Sequence, residues 1–276
     1  ALADYMAKQA AQQKFGDATG PGAEAQQTGM IEAGIQPELE HTTTVTPEEN
    51  VVASEKNDGT IDTETGKKEK DVNTSFSEII NSELTKYGIS LNEFNELRLK
   101  DVSSLTKSEK VVLKAIRESI PMPSADTIMQ KVIPAGDITK YLNGSYTGVR
   151  GYVTRAQDVM QLSTYDDFYD SLRLDYPNSP YNRVSDISIG VIRYTSNEIS
   201  KILIPYNLDM GGNVTGAPPF TGNGFTAAIN GQIIPEYQCS STVVLSDGAQ
   251  LYEVGRDGVE TLRGVYSAVE GRFISV

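Results

Sequence analysis

Three groups of residues in this chain could do chemistry. Glu236 stands at the end of the apolar run Ile233-Ile234-Pro235 and just before Tyr237. A carboxylate there is expensive to bury without a partner, so it either lines a cleft or closes an ion pair with Arg150, Arg193 or Arg263. Upstream lies Phe220-Thr221-Gly222-Asn223-Gly224-Phe225. Its glycines let backbone N–H groups approach an anion or a flat ring, and the same residues also suit a plain turn. Because the stretch follows Pro218-Pro219 and not a parallel strand, it is not a dinucleotide fingerprint. The third group is Gly148-Val149-Arg150-Gly151-Tyr152-Val153-Thr154-Arg155. An arginine entering a strand beside glycine can fork onto a phosphate pair, or can be a solvated charge at an ordinary strand end. Asp166, Asp167 and Asp170 also cluster, but on a helix only Asp166 and Asp170 share a face. Charges at a helix start explain them better than a metal does, and no metal is expected.

Composition removes several other chemistries. The only histidine, His41, falls in a polar stretch, and Cys239 is the single cysteine. Internal disulfides, multi-cysteine metal sites and Ser-His or Cys-His dyads are thereby excluded within one chain. The formal charge of -13 carries no basic stripe, which argues against nucleic-acid partners. No apolar run is long enough to span a membrane. The chain opens at Ala1 with no charged-then-apolar leader. No secretory signal is expected, and the missing initiator Met points to processing or to a fragment of something longer.

The elements that must position these residues are readable from periodicity. Residues 1–73 form an acidic, low-complexity leader, with a marginal helix over 1–13 and then a disordered or extended arm. At 38% the apolar fraction is below the roughly 45 to 50% of compact domains, as such a leader requires. A helical subdomain follows over 74–133. Ile79, Ile80 and Leu84 fall at helical spacing before Gly88, and Ser90 with Glu93 and Thr106 with Glu109 match the capping box. Short helices are expected over 124–131 and 137–142. Residues 134–276 read as an α+β domain with mixed, mostly antiparallel sheets. Strands are expected at 150–156, 188–195, 201–205, 231–237, 242–245, 250–254, 262–266 and 272–276, with one helix over 165–172. Ser246-Asp247-Gly248 and Arg256-Asp257-Gly258 are expected to join antiparallel neighbours.

Five segments in order give a resemblance: 151–159, 172–176, 190–194, 220–226 and 234–237, followed by Leu245-Ser246-Asp247-Gly248 and the strand after it. Together they resemble the ADP-ribosyltransferase-like C-terminal toxin domains of bacterial polymorphic toxins and phage head-associated proteins. That resemblance implies an ADP-ribosyltransferase-type fold with NAD as substrate, and either mono-ADP-ribosyltransferase or NAD glycohydrolase activity. Glu236 would stabilise the oxocarbenium-like ribose, while Arg150 or Arg155 would hold the dinucleotide. Gly151, Thr221, Gly222, Asn223, Gly224 and Phe225 would line its site. The chain departs from the family at the Ser-Thr-Ser triplet, where Thr221 is the nearest substitute, and at Glu-x-Glu, where Ile234 stands. The second departure points away from an arginine acceptor. As a secreted or injected effector the protein would act on a protein or small-molecule acceptor, with an immunity protein or a virion component as partner. The alternative expectation is a non-enzymatic phage virion structural or cargo protein with an extended N-terminal packing arm.

Overall fold

The computed structural model describes residues 76–276; the leader over 1–73, with its expected helix and arm, lies outside the described residues. Three helices come first: α1 (Phe76–Tyr87), α2 (Leu91–Leu99) and α3 (Lys107–Glu118). Both capping boxes form. The Glu93 N–H donates to Ser90 Oγ at 3.2 Å and the Ser90 N–H to Glu93 Oε2 at 2.7 Å. Thr106 and Glu109 make the same exchange at 2.8 and 3.2 Å, so both helices begin with two otherwise orphaned donors satisfied. Gly88, at φ 61°, ends α1 in the left-handed region. Phe94, Leu97, Val112, Leu113 and Ile116 form the core of this layer, and Tyr206, Met210 and Phe225 from much later in the chain complete it.

The strands are β1 (Met129–Pro134), β2 (Gly148–Arg155), β3 (Ser188–Tyr194), β4 (Ile202–Leu203), β5 (Tyr237–Val244), β6 (Gln250–Gly255), β7 (Glu260–Ser267) and β8 (Arg272–Ser275). They form one sheet in the order β4-β5-β2-β1-β3-β6-β7-β8, and every registered pairing is antiparallel. The fold is α+β, with two shorter helices, α4 (Ile138–Leu142) and α5 (Tyr165–Ser171). No helix among the described residues is long and apolar enough to cross a membrane.

One junction matters for everything that follows. β1 runs beside β3 from Met129↔Tyr194 to Pro134↔Ile189, yet meets β2 only at Met129↔Arg155 and Gln130↔Thr154. Beyond Gln130 the two strands part, and the sheet splits into two halves. Val149, Val153, Tyr237 and Val243 from one half share a core with Tyr194, Leu251 and Phe273 from the other. A further core under α5 holds Tyr165, Phe168, Ile189, Val191 and Ile234.

The structure corrects four expectations. Residues 124–131 do not form a helix: a turn closed by the Ser124 N–H donating to Thr127 Oγ1 at 2.9 Å leads into β1. β1 is covered on both faces, with Met129 and Ile133 in one core and Val132 in another, so it carries none of the polar alternation that marks a strand. The expected boundary at 133 accordingly falls inside β1, and the described residues belong to one compact unit. Residues 231–236 are irregular, whereas β5 runs unbroken through Cys239-Ser240-Ser241. Finally, Ser246-Asp247-Gly248 does not join neighbours, because β2, β1 and β3 lie between β5 and β6. It carries the chain from one half-sheet to the other, tied down by Ser246 N–H to Thr195 O and Gly248 N–H to Tyr266 O, both 2.9 Å.

Candidate functional site

The parting of β1 and β2 opens a cleft of about 690 Å³, within the range of small-molecule sites. Lys131 from β1, Gly151 and Tyr152 from β2, Arg173 and Tyr176 from the segment after α5, and Phe220 and Glu236 line it.

Glu236 sits on the last residue before β5, and its backbone is held from both sides. Its N–H donates to Gly224 O at 2.8 Å, and its carbonyl accepts from Arg117 Nη2 at 2.8 Å. The adjoining Thr226 N–H donates to Ile234 O at 3.0 Å, and Phe225 bridges Pro235. The carboxylate itself forms no hydrogen bond or ion pair with any described residue. The three candidate partners are engaged elsewhere: Arg193 with Glu260, Arg263 with Glu253, and Arg150 with Thr242. Burial pushes the Glu236 carboxyl up to about 7 against the opposing Arg117 charge. Beside it, burial and the Glu236 charge push the Tyr152 hydroxyl up to about 12, so this tyrosine stays a neutral donor. The Tyr152 ring lies 6.1 Å from that of Phe220, tilted by 47°, giving one wall of the cleft two aromatic faces.

Two cations share the cleft. Lys131 reaches across the parting of the strands to donate to Tyr152 O at 3.0 Å, and among the described residues it forms no ion pair. Burial lowers its pKa to about 8, with the Cys239 thiol opposing. Gly151 sits beside this reach, at a register shift in β2 with φ 71°; a Cβ there would make only ordinary contact with Lys131 Nζ, at 3.6 Å, so it is the left-handed backbone that calls for glycine. Arg173 spans from Asp175 Oδ1 at 2.8 Å to Ala227 O at 2.9 Å.

The residues singled out from the sequence divide sharply. Glu236, Gly151 and Phe225 line the cleft. Arg155 does not: fully buried, it pairs with Asp158 through Nε and Nη2 at 2.7 and 2.8 Å, closing a salt bridge inside the protein. Arg150 is exposed outside the cleft lining, bonded to Thr242. Thr221, Gly222, Asn223 and Gly224 are buried and turn their polar groups to the rest of the fold. Thr221 O accepts from the Val102 N–H at 3.3 Å, Gly222 O from Asn207, and Asn223 Nδ2 donates to Arg98 O at 2.8 Å. The glycine turn therefore braces Glu236 from behind, through Gly224 O, and Thr221 to Gly224 lie outside the cleft lining. The acidic cluster is spent as well: Asp166 pairs with Arg256 at 3.0 Å, Asp170 with Arg183 at 2.5 Å, and Asp167 closes a capping box with the N-cap Thr164.

Sequence reasoning missed Lys131, Tyr152, Arg173 and Arg117. Lys131 was hidden inside an expected helix end. Arg173 carries a signal only in the structure, a φ of 51° that non-glycine residues seldom adopt. No protein family, curated protein or solved structure matches the chain at a significant level.

Proposed function

We propose that the cleft takes NAD as substrate and that Glu236 stabilises the positive charge that develops on the ribose as nicotinamide leaves. The chain is then an NAD-consuming effector or toxin of the ADP-ribosyltransferase type, acting as a mono-ADP-ribosyltransferase or an NAD glycohydrolase. One observation carries this reading: a carboxylate without a partner among the described residues, held by its backbone, in an aromatic-walled cleft that also contains a lysine with no ion pair among them.

The chemistry suits that arrangement. Nicotinamide departs as a neutral molecule, so the reaction needs little proton transfer and much negative charge near the sugar. With a carboxyl pushed up to about 7, the free site is part protonated near neutrality. A bound substrate carrying a positive ring favours the ionised form, so substrate binding itself charges the catalytic group. Tyr152 and Phe220 offer faces for a flat ring. Lys131 and Arg173 take the phosphate role first expected of Arg150 or Arg155, because they are the cations that line the cleft. Ile234 is fully buried in the core under α5, so no second carboxylate stands two residues before Glu236. That supports water or an acceptor other than arginine as the nucleophile. By the same resemblance the protein works as a secreted or injected effector with a neutralising immunity partner.

The test is to incubate the full chain with NAD, with and without cell lysate as a source of acceptors, and follow free nicotinamide. Release is expected. Silence under both conditions refutes the proposal and leaves the non-enzymatic virion or cargo reading. Lys131→Met is expected to raise KM about tenfold with kcat little changed, the signature of lost uniform binding.

A further inference from the structure

The last turn of α3 ends against the back of the cleft. Arg117 there is fully buried, and it donates from Nε to Gly224 O and from Nη2 to Glu236 O, both at 2.8 Å. Its guanidinium lies 4.5 Å from the Tyr237 ring centroid and 5.8 Å from that of Phe225. Among the described residues Nη1 has no hydrogen-bond partner, and no carboxylate forms an ion pair with this side chain. A buried guanidinium without a bonded carboxylate is costly, and such groups persist where the charge or its geometry is used.

α2 supplies a matched comparison. Arg98 is buried as deeply and donates to Thr226 O and Ala228 O, each at 3.0 Å, and to Asn95 Oδ1 at 2.8 Å. Both arginines hold the same loop onto the helices. Only Arg117 holds the residue that bears the cleft carboxylate.

We infer that Arg117 is a positioning residue for Glu236: it fixes the place of the carboxylate through two carbonyls and holds behind it a buried positive charge that forms no ion pair among the described residues. The inference rests on Glu236 being the working carboxylate, but its test needs no NAD. The charged and titratable groups around Glu236 are Arg117 from α3 and Tyr152 from β2, with Lys131 of β1 and Arg173 on the same cleft and Tyr237 beneath the guanidinium. Burial raises the carboxyl and Arg117 opposes that rise. Removing the cation therefore moves the midpoint further up and leaves the group mostly neutral near pH 7.

The experiment follows the Glu236 side-chain carbon by NMR across a pH titration of the full chain, assigning the signal by its loss in Glu236→Gln. Arg117→Met is expected to raise the midpoint by about one pH unit or more, and Arg117→Lys to restore most of it. Arg98→Met is expected to move it by no more than a few tenths, although that chain melts earlier. An unmoved midpoint in folded Arg117→Met, or an equal shift in Arg98→Met, overturns the inference. Where Arg117→Met does not fold, the wild-type chain decides. The Arg117 guanidinium nitrogens must titrate with the midpoint of Glu236 and stop doing so in Glu236→Gln; nitrogens indifferent to that ionisation overturn it. A chain that shows these shifts but releases no nicotinamide keeps this inference and loses the proposed function, so the two failures are distinguishable.

Discussion

Glu236 keeps a carboxylate where burial disfavours its charge, and the consequence for stability has a definite sign. Between its ordinary 4.5 and about 7 the folded chain holds a proton that the unfolded chain has released, so stability falls as pH rises through that window. Glu236→Gln is therefore expected to stabilise the fold above pH 7 by about 1 to 2 kcal/mol, discounted for the solvent that reaches the group, and to gain almost nothing below pH 4. Urea titrations at the two pH values check this; equal stabilities at pH 8 would contradict it. The proposed NAD cleavage would depend on the same groups. A rising limb near 7 is expected in kcat/KM as Glu236 ionises, and a falling limb near 8 as Lys131 loses its charge. Lys131→Arg should push the falling limb beyond the measured range. Glu236 was legible because an acid after an apolar run is conspicuous. Arg155 was misread because nothing local reveals that Asp158, three residues on, claims both sides of its guanidinium.

At the scale of elements, the glycine turn gains a different task from the one its composition suggested. Gly224 has φ 83°, and a Cβ on it would stand 2.7 Å from Ile204 Cγ2 and 3.0 Å from Arg117 Cγ and Nε. Its carbonyl also receives both the Glu236 N–H and Arg117 Nε. Gly224→Ala should cost about 2 kcal/mol or more from backbone strain and steric overlap together. Nicotinamide release should suffer beyond that, because the brace behind Glu236 moves. A variant of wild-type stability, read by thermal melting, would contradict the packing described. The helix caps were written plainly in Ser90, Glu93, Thr106 and Glu109, because a capping box is a local exchange of bonds. β1 was not, because a strand buried on both faces shows no alternation, and the sequence around Met129 fits a helix end equally well. The crossover at Ser246-Asp247-Gly248 was equally hidden: an Asp-Gly turn specifies a tight reversal and says nothing of which strand it meets next.

For the whole molecule, the helical layer and the split sheet form one mechanical unit. The helical core is closed by Tyr206, Met210 and Phe225, and two buried arginines tie it to the loop before β5. Periodicity marks the helices but cannot show that their apolar faces await residues about a hundred positions later. Leu113, fully buried in that layer, makes the coupling measurable. Leu113→Ala should cost about 2 to 5 kcal/mol and should unfold helices and sheet in one transition, with near-ultraviolet signals from Tyr237 and Phe225 lost together with helicity. Two separated transitions would show the helices to be an independent domain.

The claim on which the rest depends is that Glu236 does its work on NAD in this cleft. The direct measurement is the rate of nicotinamide release at saturating NAD for the wild-type chain and for Glu236→Gln, with the NAD dissociation constant measured on both. The account predicts a fall in kcat of roughly a hundredfold or more, the scale of losing one electrostatic stabiliser of a transition state, with binding nearly unchanged. Release by Glu236→Gln at the wild-type rate would contradict it.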